Sequence, residues 1–229
     1  MKMKLGFFYH DLLNLYGESG NVKALAYHLK EQGIDVTIDL LTLEDPKDIA
    51  SYDWIYMGCG IERSLVLALK DAMKYREEFR KAIEGGTFIL ATGNSFELFG
   101  REIRMPKKSY RALDLLSFST EYKVRTVNDL LVPHAAHPLV GFENHSGATM
   151  DSEETPFIDT DSRKEGITKN HFIGTYMIGP LLVRNPHFLQ SYLKELILSK
   201  DPKFKIRPVK MTMEESAYLT SVNELMKTK

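Results

Sequence analysis

A chain of 229 residues is long enough to bury one sizeable core, which favours a single domain with small appendages. Its 30 basic and 31 acidic residues leave a formal charge of −1, so there is no electrostatic footprint for nucleic acid or an anionic membrane surface. The lone cysteine, Cys59, excludes an intrachain disulfide and a cysteine-rich zinc site, and no stretch has the length of a membrane span; the chain reads as cytoplasmic.

Short apolar runs alternate with longer amphipathic segments, the pattern of a sheet covered by crossover helices. Leu5 to Tyr9 reads as the first strand, and the run is too short for the apolar core of a signal peptide. Asn21 to Gln32 reads as a helix with Val22, Leu25, Ala26 and Leu29 on one face, ended by Gly33. Val36 to Leu41 and Trp54 to Met57 are further strands, the second running into Gly58-Cys59-Gly60. A long charged helix carrying Leu65, Leu69 and Met73 closes at Gly85-Gly86, and Phe88 to Ala91 is the fourth strand.

Beyond Gly100 the pattern changes. Tyr122 to Val127, Leu130 to Val132 and Leu139 to Phe142 read as separate strands of an antiparallel extension. Asp151 to Gly166 is polar and reads as an exposed loop, His171 to Met177 as a strand, and Phe188 to Leu198 as a helix. Thr212 and Glu215 match a capping box for a C-terminal helix. The apolar stripe Tyr218, Val222, Leu225 and Met226 on that helix either packs on the body or meets a partner.

The most informative segment is Thr87 to Gly100, which reads as a buried strand, a tight turn and a helix start. Such an elbow aims its tip side chain at a pocket beside the positive end of a helix dipole. The tip here is Gly93, which has no side chain to aim. Locally, Asn94 is placed to cap the helix with Glu97 answering as in a capping box, and Gly58 and Gly60 suit a tight turn. The loop from Gly17 to Asn21 lacks the Lys-Ser/Thr pair of a P-loop. His134 and His137 form a His-x-x-His spacing off any helix, and no carboxylates can be placed beside them or His145, so no metal or other cofactor is expected.

Five loops in order, Asn14 to Asn21, Met57 to Arg63, the Gly93 elbow, Val140 to Gly147 and Gly174 to Leu182, resemble the class I glutamine amidotransferases of the cobyric acid synthase type. The likeness spans about Leu5 to Asn185 and is greatest to glutaminase subunits of the lipid II isoglutaminyl synthase kind. It implies a three-layer αβα, flavodoxin-like fold over residues 1–200, with residues 201–229 as a linker and helix belonging to the same domain or to a partner contact. In that family an elbow cysteine attacks glutamine, a histidine takes its proton, and backbone N–H groups hold the oxyanion. By the resemblance the cysteine position falls on Gly93 and the histidine position on Ile178. Gly58, Cys59 and Gly60 fall on the oxyanion loop, and Asn94, Glu143, Asn144, His145 and Tyr176 become pocket candidates. The expectation is a non-hydrolytic member serving as a binding or scaffolding subunit for a Mur-ligase-like, ATP-dependent amide-forming partner, in peptidoglycan precursor amidation. The alternative is a working glutaminase that uses Cys59, or another reaction in the same pocket.

Overall fold

Four strands hold the centre because nearly every side chain on them is apolar and buried, as strands covered on both faces require. The computed structural model describes residues 1–227. In chain order these residues form β1 (Lys2–Phe8), α1 (Ser19–Glu31), β2 (Asp35–Leu41), β3 (Trp54–Met57), α2 (Glu62–Ala72), α3 (Arg76–Glu84) and β4 (Phe88–Thr92). A 3-10 segment over Gly93–Phe99 follows, then β5 (Glu102–Met105), β6 (Lys108–Arg111), β7 (Ser119–Val132) and β8 (Leu139–Met150). The remainder is β9 (Ile158–Thr160), β10 (Arg163–Glu165), β11 (Ile167–Lys169), β12 (Phe172–Thr175), α4 (Leu181–Arg184), α5 (Pro186–Lys200) and α6 (Thr212–Lys227).

The main sheet has the order β11-β12-β4-β3-β1-β2, with all neighbours parallel except the edge strand β11. Alternation along each strand sends its side chains to opposite layers. Ile55, Met57, Ile89 and Ala91 meet Leu65, Leu69 and Ala72 of α2 and Phe79 and Ile83 of α3. Trp54, Tyr56, Phe88 and Leu90 meet Val22, Leu25 and Leu29 of α1 and Leu189, Leu193 and Leu196 of α5. The result is the three-layer α/β architecture, and each large side chain in these layers contributes roughly 1.5–3 kcal/mol by burial.

A second sheet, β6-β5-β7-β8, is the expected extension, but it is mixed: β6-β5 and β7-β8 are antiparallel, whereas β5 runs parallel to β7. Its strands are longer than the sequence suggests. The segments expected separately at Tyr122–Val127 and Leu130–Val132 are one strand with an irregularity between Tyr122 and Thr126, and the strand expected to end at Phe142 continues to Met150. The extension is tied to the main sheet by a pair of backbone bonds between Phe142 and Ile178, of 2.8 and 3.2 Å.

Other expectations need correction. The stretch 151–166 is not simply an exposed loop, since β9 and β10 form a hairpin that buries Phe157, Ile158 and Glu165. The long charged helix is broken at Met73–Tyr75 into α2 and α3. The capping box is out of register by one residue, because Thr212 is already helical and the Met211 carbonyl accepts the Glu215 N–H. On α6, Tyr218 and Val222 are buried against Leu131 and Val140 with Leu225 alongside, whereas Met226 is 61% exposed. The stripe is therefore spent largely on the chain's own core. Among the described residues no helix is long and apolar enough to cross a membrane.

One buried amide fastens the extension to the α5 layer. Asn185 accepts the Val140 N–H at 2.7 Å and donates to the Val140 and Leu181 carbonyls, both at 2.8 Å. Asn185→Ala should cost about 2–3 kcal/mol in urea unfolding, since it leaves buried backbone groups unpaired. A loss below about 0.5 kcal/mol would show that water replaces the amide without penalty.

Candidate functional site

The carboxyl ends of β3, β4 and β12 converge on one point, as expected for ligand sites in open α/β sheets. At the tip of the turn after β4, Gly93 has φ +62°, a left-handed conformation that strains any residue with a side chain. Ser95 fixes the turn by donating to the Met57 and Thr92 carbonyls at 2.9 and 3.0 Å. A Cβ at position 93 would lie 2.5 Å from the Cys59 Cβ, 2.7 Å from its Sγ and 3.1 Å from Ile178 Cγ2. Gly93, Cys59 and Ile178 thus come from three strand ends and meet, as the sequence requires for Gly93 and Ile178.

Gly58 and Gly60 have a packing reason of their own. A Cβ on either would come within 2.4 Å of the Leu13 carbonyl and 2.6 Å of the Leu12 carbonyl respectively. Asn94 and Glu97 do not make the expected capping box. Asn94 reaches across to the neighbouring loop, accepting the Gly60 N–H at 3.0 Å and donating to the Gly60 carbonyl at 2.8 Å. The segment after Gly93 is 3-10 rather than α, so the side-chain directions on which a capping box depends do not arise.

A polar cavity of about 120 Å³ opens above this floor. Cys59, Asn94, Asn144 and His145 line it together with Tyr16, Tyr122 and Arg125. Asn144 accepts from Arg125 and donates to the Tyr16 hydroxyl at 2.9 Å. His145 lies flat on Tyr176, with centroids 3.8 Å apart, and its Nδ1 is 2.7 Å from the Gly147 carbonyl. Tyr176 therefore supports the pocket from behind. Glu143 is turned away from the floor and is held by Arg163, by Asn128 at 3.1 Å and by His145 Nε2 at 3.3 Å. Burial would raise its carboxyl, but these bonds and the Arg163 charge outweigh burial and hold it at about 2. His134 and His137 lie in the β7–β8 connection, and among the described residues no group of three His, Cys, Asp or Glu side chains is disposed to hold a metal.

The burial of two acids, Glu18 and the expected cap residue Glu97, is not visible in the sequence. Glu18 is fully buried below the elbow, accepting from Thr92, from Tyr56 and from the Gly179 N–H at 3.1 Å. Burial raises its pKa despite those three bonds. The only available signal is an acid inside a glycine-flanked strand-end loop. Glu97 is likewise fully buried at the edge of the pocket, accepting from the Tyr122 and Tyr176 hydroxyls, each at 3.2 Å. Burial pushes its carboxyl up to about 8. Burial also pushes the Cys59 thiol up to about 12, leaving it protonated at neutral pH.

Glu97 gives a pH-dependent test. Its folded pKa of about 8 lies above the ordinary 4.5, so between these values the folded state keeps a proton that the unfolded chain has lost. Stability contributed here is full below pH 4.5 and falls as pH rises toward 8. Glu97→Gln keeps the shape without the charge. The variant should gain on the wild type by roughly 2–4 kcal/mol across that window in denaturant titrations. A pH-independent difference would contradict a neutral, buried Glu97.

Comparison with known proteins agrees with this geometry. The CobB/CobQ-like glutamine amidotransferase domain profile matches residues 4–186. The chain is 30% identical over 198 residues to the lipid II isoglutaminyl synthase (glutamine-hydrolyzing) subunit GatD of Staphylococcus aureus, covering 82% of this chain and 81% of that protein. Identity to the Streptococcus pneumoniae GatD subunit is 25% over 198 residues, covering 80% of this chain and 76% of that one. A crystal structure of a glutamine amidotransferase superposes with a TM-score of 0.56 at 16% identity, covering 84% of this chain and 97% of that one, and shares its fold. With the profile spanning most of its length, the chain belongs to the CobB/CobQ-like glutamine amidotransferase family.

Proposed function

We propose that this chain is a non-hydrolytic member of the family, a binding or scaffolding subunit for an ATP-dependent, Mur-ligase-like amide-forming partner in peptidoglycan precursor amidation. The observation that carries the reading is the meeting of Gly93, Cys59 and Ile178. At the two positions where the family resemblance puts a thiol and its base there are a hydrogen and a hydrocarbon. Without either group the covalent route to glutamine hydrolysis is closed, and what remains is binding.

The pocket itself supports a binding role. Asn94, Asn144, Arg125, Tyr16 and His145 still offer convergent donors and acceptors around a cavity of about 120 Å³. The GatD relatives are subunits by name, which supports a partner for this chain as well. The rival, a glutaminase built on Cys59, would need a thiolate. A buried thiol held at about 12 is a poor source of one.

Purified protein incubated with glutamine should release no ammonia above the uncatalysed background. Turnover that disappears in Cys59→Ala would replace this reading with the rival. For the partner, affinity purification from the native cell should return an ATP-dependent ligase in stoichiometric amount. Recovery of the chain alone would contradict the scaffolding role.

A further inference from the structure

The room an elbow side chain would need is already taken. The Cys59 Cβ stands 2.5 Å, and its Sγ 2.7 Å, from the place of a Cβ on residue 93. Real non-bonded carbons do not approach so closely, so side chains at 59 and 93 exclude each other unless the backbone moves. The Cys59 thiol also donates a long, weak hydrogen bond to the Gly60 carbonyl at 3.9 Å. One side chain thus fills the space of the missing nucleophile.

We propose that Cys59 is a transposed space-filling side chain that closes the floor of the pocket, so that a ligand entering past Asn144 and His145 stops short of the elbow and a carboxamide cannot reach it. This rests on the non-hydrolytic reading and adds a specificity-determining residue to it. Cys59 is 4% exposed and, with its thiol protonated, acts as volume rather than as a reagent. Ile178, whose Cγ2 is 3.1 Å from the same point, completes the closure. The absence of a side chain at position 93 and the presence of one at position 59 are then coupled. Restoring a side chain at the elbow requires removing the one beside it.

The test is a set of thermal unfolding curves on the full chain. Gly93→Cys should lower Tm by several degrees through strain and collision together. The swap, Gly93→Cys with Cys59→Gly, should recover much of that loss, whereas Gly93→Cys with Cys59→Ala should recover less, because the closest approach is carbon to carbon. Losses that simply add, with no advantage for the swap over Gly93→Cys, would overturn the proposal. Should Gly93→Cys fail to fold, rescue of soluble protein by Cys59→Gly but not by Cys59→Ala reads the same coupling, and no rescue by either overturns it.

Iodoacetamide labelling supplies a readout that packing alone would not move. The folded wild type should be nearly unreactive, and the swap should label at least about tenfold faster, since its thiol is returned to the elbow facing the cavity. Equal rates would contradict closure by Cys59. Ammonia release by the wild type is a separate measurement, so failure of the non-hydrolytic reading is distinguishable from failure of the transposition.

Discussion

The carboxyl of Glu18 binds together the strand ends on which the candidate site is built. It sits in the loop that follows β1 and accepts from Tyr56 on β3, Thr92 on β4 and the Gly179 N–H beyond β12. The network runs on through Asn21, which donates to Tyr56 at 2.7 Å and accepts the Leu182 N–H at 2.7 Å. A fully buried acid is costly unless its oxygens are satisfied, and here they receive three donors from three different segments. The positions of Gly93 and Ile178 follow from this, because Thr92 and Gly179 are their immediate neighbours.

Around that fixed floor, the extension supplies the walls. The Phe142–Ile178 backbone pair joins β8 to the turn after β12, which brings Asn144 and His145 over the elbow. His145 stacked on Tyr176, with Tyr176 bonded to Glu97, carries the support down to the segment after Gly93. The side chains that line the pocket are thus held by the same scaffold as the elbow.

Much of this was legible in the sequence where burial forces a simple pattern. Trp54–Met57 and Phe88–Ala91 are buried on both faces, so they stand out as unbroken apolar runs, and the α1 stripe repeats at helical spacing. The adjacency of Gly93 and Ile178 was legible from the ordered loops. The full length of β7 was not, because its middle residues are exposed and the irregularity after Tyr122 breaks the alternation. The β9–β10 hairpin has strands of 3 residues, too short to show a period. The partners of Asn94, Glu97 and Glu18 lie far away in the chain, and local capping rules cannot see them.

On the proposed reading, this amidotransferase-family pocket holds no competent nucleophile. A glutamine-derived chloroketone tests it directly, since a working elbow thiolate displaces the chloride and keeps the glutamine skeleton as a fixed mass. After prolonged incubation at neutral pH, the intact mass of the wild-type chain should be unchanged. A single stoichiometric adduct that peptide mapping places on Cys59 would contradict the account.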